Sequence, residues 1–194
     1  GSGKSTLLDL LMGLHIPSRG RIIVDGHDIH KSPHSNVLLS WRSSVAHAPQ
    51  NIFLADCTFA ENIAFGIPSK HIDMALVRES ASLAQIATFI EDCPGNYFSN
   101  VGEQGIRLSG GQRQRIGIAR ALYMQKQVLV FDEATSALDN QTEKAVMAGI
   151  DSLSKDFTIL MIAHRLSTLR NCNRVIKFEN GFIVADGPPE DVLL

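Results

Sequence analysis

Apolar positions along this chain change period several times, and each change marks an element. Leu7, Leu8, Leu10, Leu11 and Leu14 recur with helical spacing, and Gly13 with Pro17 marks the end of that helix. Arg21 to Val24 alternates and is rich in β-formers, Asp25-Gly26 makes a turn, and Ser43 to Ala48 reads as a strand stopped by Pro49, with Gln50 just beyond its end. From about Phe59 to Phe98 the strand signals vanish. Ala75, Leu76, Ser80, Leu83, Ala84, Ile86, Ala87 and Ile90 define a helix-rich stretch there.

Val128 to Phe131 is a short, wholly apolar run before two acids, as a buried parallel strand requires, and Phe157 to Ala163 is a second such run. Between them Asp139 caps a helix running to about Leu153. Arg174 to Phe178 and Phe182 to Ala185 flank Glu179-Asn180-Gly181, which predicts a hairpin. This alternation implies an α/β fold with helices on both faces: a mostly parallel sheet, a helical subdomain and some antiparallel β. Residues 1–50 and 126–194 form the core in this reading, and 51–125 the helical subdomain. Ligands of such sheets sit at the carboxyl ends of the strands.

The 194 residues, 44% hydrophobic and 20% charged, suit one compact domain or slightly less. Lys plus Arg number 18 against 20 Asp plus Glu, a formal net charge of -2, so no broad basic field exists for nucleic acid or anionic lipid. Anion binding must therefore be local. Cys57, Cys93 and Cys172 are far apart and odd in number, which reads as reduced cytosolic thiols. No apolar run approaches the roughly 18 residues of a membrane span. If a membrane is involved, it is reached through a partner domain.

Gly1-Ser2-Gly3-Lys4-Ser5-Thr6 is the second half of a phosphate loop. Its backbone N–H groups, aimed by a helix dipole, can cradle a triphosphate, with Lys4 reaching the β and γ phosphates and Ser5 ligating magnesium. The loop's first half and the strand before it are expected upstream. Asp132 and Glu133 emerge together from an apolar strand. Asp132 would hold the magnesium ion, directly or through a water, and Glu133 could polarise the water that attacks the γ phosphate.

Leu108-Ser109-Gly110-Gly111-Gln112 opens an amphipathic helix running to about Tyr123, and makes a second anion-binding helix start. One nucleotide does not need two such starts in one domain. His27, His30 and His34 sit in a polar loop without further ligands and do not make a metal clip. Arg113, Arg115 and Arg120 fit a solvated or interface face of the helix better than a nucleic-acid surface.

With these residues in place the chain resembles the ABC ATPase family, whose signature motif is the Leu108 to Gln112 segment. The family's order appears in full: phosphate loop at 1–6, glutamine loop at Gln50, signature, Asp132-Glu133, Ser136-Ala137-Leu138-Asp139, and His164. The resemblance implies a phosphate-loop NTPase (RecA-like) core, ATP and magnesium as ligands and a head-to-tail dimer. Each nucleotide then lies between one domain's phosphate loop and the other's Ser109, Gly110, Gly111 and Gln112. It also implies that Gln50 senses magnesium and the attacking water, that His164 contacts the γ phosphate, and that Asp139 links the two sites.

Glu61-Asn62-Ile63-Ala64-Phe65-Gly66 and Asn100-Val101-Gly102-Glu103-Gln104-Gly105 are similar to exporter segments that lie against a membrane domain. The expectation is an export ATPase at the cytoplasmic face of a membrane, with its transmembrane domain fused upstream. A soluble family member acting on nucleic acid or ribosomes is the alternative. The short span between Gln50 and Ser109 lacks the coiled coil that DNA-repair members insert there.

Overall fold

The computed structural model describes residues 2–31, 36–106, 108–152, 157–163 and 165–193, and for Gln104 the backbone alone. The chain divides into two compact units, Gly1–Val45 with Met161–Leu194, and Ala46–Leu160.

In the first unit, helix α1 (Lys4–Leu11) begins after Gly3, whose φ of 93° is the left-handed conformation that glycine adopts without a steric penalty. It stops at Gly13, the residue that marks its end in the sequence. Gly13, at φ 74°, donates to the Leu10 carbonyl at 3.0 Å, and Leu14 donates to that of Asp9 at 2.8 Å, the two bonds of a Schellman stop. Leu14 is therefore thrown outward and is 54% exposed.

Helix α2 (Asn36–Ser43) covers this stop, and Trp41 Nε1 donates to the Leu11 carbonyl at 2.7 Å while the Arg42 guanidinium grips that of Gly13. The sequence reading had no helix here and started a strand at Ser43. Only Leu38 of α2 is buried, so the helix carries almost no apolar stripe, and its position is set by these polar bonds to α1.

Two hairpins complete this unit. Strands β1 (Ile23–Val24) and β2 (His27–Asp28) turn at Asp25 and Gly26, both with positive φ, 48° and 79°. The first strand is shorter than the alternating segment from Arg21. Strands β6 (Val175–Glu179) and β7 (Phe182–Gly187) turn at Asn180 and Gly181, as expected, and Arg174 pins their open end through a two-pronged bond to Asp186 at 2.7 and 2.6 Å. Short helices α8 (Leu166–Leu169) and α9 (Pro189–Val192) flank this hairpin in sequence.

A three-stranded parallel sheet runs in the order β3 (Val45–Ala48), β4 (Val128–Asp132), β5 (Thr158–Ile162), and the second unit contains all of β4 and most of its two neighbours. The central strand β4 is buried along Val128–Phe131 and surfaces at Asp132, which explains its continuous apolar run. Helices α3 (Phe59–Ile63), α4 (Met74–Leu83), α5 (Ala87–Glu91) and α6 (Gly110–Tyr123) form the helix-rich part, with Ile116, Ile118 and Ala119 of α6 fully buried.

Each start in this group is fixed locally. Thr58 and Glu61 close a capping box on α3, and Asp73 accepts from Ala75 and Leu76 N–H at 2.9 and 3.2 Å to begin α4. Gln85, at φ 56°, breaks α4 from α5. Helix α7 (Asn140–Asp151) follows its Asp139 cap, and Leu153, where the sequence pattern ends it, lies outside the described residues. Gly149 of α7 comes so near the end of α4 that a Cβ would sit 3.0 Å from the Leu83 carbonyl oxygen. No described helix is long and apolar enough to cross a membrane.

Candidate functional site

The phosphate-loop residues belong to the first unit. Gly1 lies outside the described residues; Ser2, Gly3, Lys4, Ser5 and Thr6 form the entry to α1. No side chain caps this helix and no acid stands in its first turn, so its orphan N–H groups and the positive dipole end remain for an outside anion. The Lys4 ammonium folds back onto Ser2 Oγ at 2.7 Å, over the same helix end. The Ser2 carbonyl accepts from Gly181 N–H at 3.1 Å, which ties the β6–β7 turn to the loop.

The second unit holds the carboxylates. Asp132 ends β4, and Glu133 follows with φ 50°, a left-handed conformation strained for a residue with a Cβ. Gln50 Nε2 donates to Glu133 Oε2 at 2.7 Å, joining two positions 83 residues apart. That bond leaves the Gln50 amide oxygen available. The oxygens of Asp132, Gln50 and Ser5 are all hard donors of the kind magnesium takes beside phosphate, so the residue types fit that ion. His164 lies outside the described residues, as does His34 of the histidine loop. Among the described residues no three His, Cys, Asp or Glu side chains converge on a metal position.

The same unit holds the start of α6. Ser109 Oγ accepts from Gln112 N–H at 3.2 Å, and Gln112 Oε1 accepts from Ser109 N–H at 2.8 Å, a complete capping box. Ser109, Gly110 and Gly111 open on a concavity of about 310 Å³ shared with Arg115, Asp139 and Thr142. Gly111 is required by packing as well as by access, since a Cβ there would lie 3.1 Å from the Ala137 carbonyl oxygen.

Across the concavity Asp139 accepts from Gln141 and Thr142 N–H at 3.0 and 2.9 Å and from the Thr142 hydroxyl at 2.7 Å. The Thr142 backbone N–H, then its hydroxyl, hold the Asp139 carboxyl below the usual carboxylate range. Burial lowers the Arg115 guanidinium, an effect the Asp139 charge opposes.

Three groups escaped the sequence reading. Gln114, only 6% exposed, sits between α6 and the turn after Glu133 and bonds to both ends of that turn. Buried Glu143 on α7 accepts from the Thr135 hydroxyl at 2.8 Å. Asn62, fully buried, bonds to Ala55, Thr58 and Arg120. A polar residue on the buried side of an otherwise amphipathic helix was the one signal that could have flagged Gln114.

The two segments singled out as exporter-like share one neighbourhood. Thr58 bridges Asn100, Phe59 N–H donates to the Ser99 carbonyl at 3.1 Å, and Val101 N–H to that of Cys57 at 3.0 Å. Arg120 stacks 4.5 Å from the Phe65 ring centre and donates to the carbonyls of Asn62 and Phe53 at 2.9 and 3.1 Å, while Phe53 and Phe65 remain 62% and 43% exposed.

A family model described as ABC transporter matches residues 1–136. The chain is 42% identical over 194 residues to the alpha-hemolysin translocation ATP-binding protein HlyB of Escherichia coli O157:H7, covering all of this chain and 26% of that protein. It is 44% identical over 193 residues to an ATP-dependent lipid A-core flippase of Saccharophagus degradans, covering all of this chain and 32% of the flippase. Among solved structures, a bacterial Atm1-family ABC exporter with ATP bound superimposes with a TM-score of 0.89 at 38% identity, over 99% of this chain and 32% of that one. The chain thus spans about a quarter to a third of the length of these relatives.

Proposed function

Because the chain belongs to the ABC transporter family and is its ATP-binding, ATP-hydrolysing part, we propose that the whole protein couples ATP turnover to export of a substrate across a membrane. The observation that carries the catalytic part of this reading is the Gln50–Glu133 bond at the carboxyl end of a buried strand. It places a carboxylate and an amide together where a phosphate-loop fold binds its ligand.

In this reading Gly1 to Thr6 cradle the phosphates and Lys4 leaves Ser2 Oγ to meet the β and γ oxygens. Ser5, Asp132 and Gln50 would hold magnesium, which supplies charge neutralisation on the phosphates. Glu133 takes the proton of the attacking water, Gln50 fixes the Glu133 carboxylate, and His164 contacts the γ phosphate.

The start of α6 has the donors for a second phosphate contact: the Gly110 and Gly111 amides beside the Ser109 hydroxyl. A head-to-tail pair of domains lets the Ser109 to Gln112 segment of one complete the phosphate site of the other, with Asp139 at the junction. Binding then closes the pair and hydrolysis of the γ phosphate releases it, a two-state element biased by one charged group.

The helical stretch 51–125 is the arm that faces the membrane domain, and 1–50 with 126–194 make the nucleotide core. Exposed Phe53 and Phe65, with the paired 58–66 and 99–105 segments, supply the apolar contact expected at such a junction. The relatives named for translocation and flipping favour export over a soluble role on nucleic acid or ribosomes. Carbonate extraction of membranes from cells making the full-length protein tests this. Retention in the pellet is expected, and complete release into the supernatant would contradict membrane-embedded export.

A further inference from the structure

Helix α6 and the turn after β4 are joined by one side chain. Gln114 Nε2 donates to the Glu133 carbonyl at 3.3 Å and to Ser136 Oγ at 2.9 Å, and its Oε1 accepts from Ala137 N–H at 2.8 Å. The turn it holds contains the strained residue of the site. Glu133 adopts φ 50°, and such a conformation persists in a residue with a Cβ only when its surroundings fix it. The Glu133 carbonyl is gripped twice, by Ser136 N–H at 3.0 Å and by Gln114. The first grip is internal to the turn, whereas Gln114 ties the Glu133 carbonyl to α6.

That element is the helix whose first turn carries Ser109 to Gln112. Gly111 lies against the Ala137 carbonyl with no room for a Cβ, so α6 and the turn meet at close packing as well as through the amide. A shift of α6 along or about its axis therefore moves Ala137 N–H and the Glu133 carbonyl together. We propose that Gln114 is a positioning residue that conveys the placement of the signature helix to the Glu133 carboxylate, so that hydrolysis is fast only when the helix start is seated on a nucleotide. This rests on the reading of Glu133 as the base that activates water.

The test uses the full-length protein with two substitutions. Gln114→Met fills a similar volume and removes all three bonds. The expected result is a kcat lower by about ten- to a hundredfold, the scale of a misplaced catalytic group, with KM for ATP within about twofold of wild type. A wild-type kcat, or a loss that disappears once rates are divided by the number of ATP-binding sites titrated, overturns the proposal, because a merely structural role removes whole sites.

Gln114→Glu separates the donor from the acceptor. Neutral, the new carboxyl can donate to the Glu133 carbonyl and accept from Ala137; ionised, it can only accept. Its kcat relative to wild type, compared at each pH because Arg115 on α6, Asp132, Glu133 and Asp139 around the turn and Glu143 on α7 are carried by the same packed elements, is expected to rise as pH falls. A pH-independent ratio overturns the proposal even if the methionine variant fails to fold. Glu133→Gln measured alongside keeps the two questions apart: retained turnover there removes the reading of Glu133, whereas lost turnover there with unchanged Gln114 variants removes only this inference.

Discussion

Glu133→Gln in the full-length protein is expected to keep ATP bound while turnover falls by about 10²- to 10⁴-fold, the range for removal of a general base. The amide has nearly the shape of the carboxylate, so the left-handed turn and its bonds to Ser136 N–H and Gln114 stay in place. What disappears is the group that takes the proton of the attacking water. Gln50 Nε2, which donates to the carboxylate at 2.7 Å, can donate equally to the amide oxygen of the variant, so the loss is of chemistry rather than of position. Phosphate release under saturating ATP, with retained nucleotide counted on the same sample, measures both halves. Turnover within a few-fold of wild type would show that Glu133 is not the base.

A second large effect lies away from the chemistry. Asn62 is fully buried and its amide closes the loop before α3: Nδ2 donates to the Ala55 and Thr58 carbonyls at 3.0 and 3.1 Å, and Oδ1 accepts from Ala55 N–H at 3.0 Å. Arg120 Nη2 approaches the same oxygen at 3.4 Å, and burial already disfavours that guanidinium's charge. Asn62→Leu keeps the volume and leaves Ala55 N–H and part of the Arg120 fork without acceptors.

Buried polar groups left unpaired cost about 1–3 kcal/mol each, more when charged, so a destabilisation of about 3–5 kcal/mol is expected. That corresponds to a fall in Tm of roughly 6–20 °C for a domain of this size. Thermal unfolding of the purified variant reads it, and a Tm within about 2 °C of wild type would contradict the role assigned to Asn62.

What the sequence disclosed was mostly local chemistry. The helix start at Ser109, the Asp139 cap of α7 and the Asn180-Gly181 turn each depend on residues within a few positions of one another, and each forms where the sequence marks it. Strand β4 was equally legible because full burial demands an unbroken apolar run.

Helix α2 was not legible, since a single buried leucine leaves no periodicity and its place depends on Trp41 and Arg42 reaching the carbonyl end of α1. The end of α1 was legible from Gly13, which stops the helix and leaves Leu14 beyond it. The Gln50–Glu133 bond spans 83 positions, so spacing alone could not pair these residues; the resemblance named both. Gln114 and Asn62 went unnoticed because a buried amide is recognised by its partners, and those partners are backbone groups of other segments.

The proposed cycle turns on a nucleotide site shared by two domains. Cysteines replacing Ser2 and Ser109, on a full-length background with no other cysteine and with Glu133→Gln to hold ATP, test it through a short bis-maleimide cross-linker. A shared site gives a covalent product linking position 2 of one domain to position 109 of the other, formed with ATP and lost without it. Failure of that product to form under saturating ATP, with both cysteines shown to react singly, would contradict it.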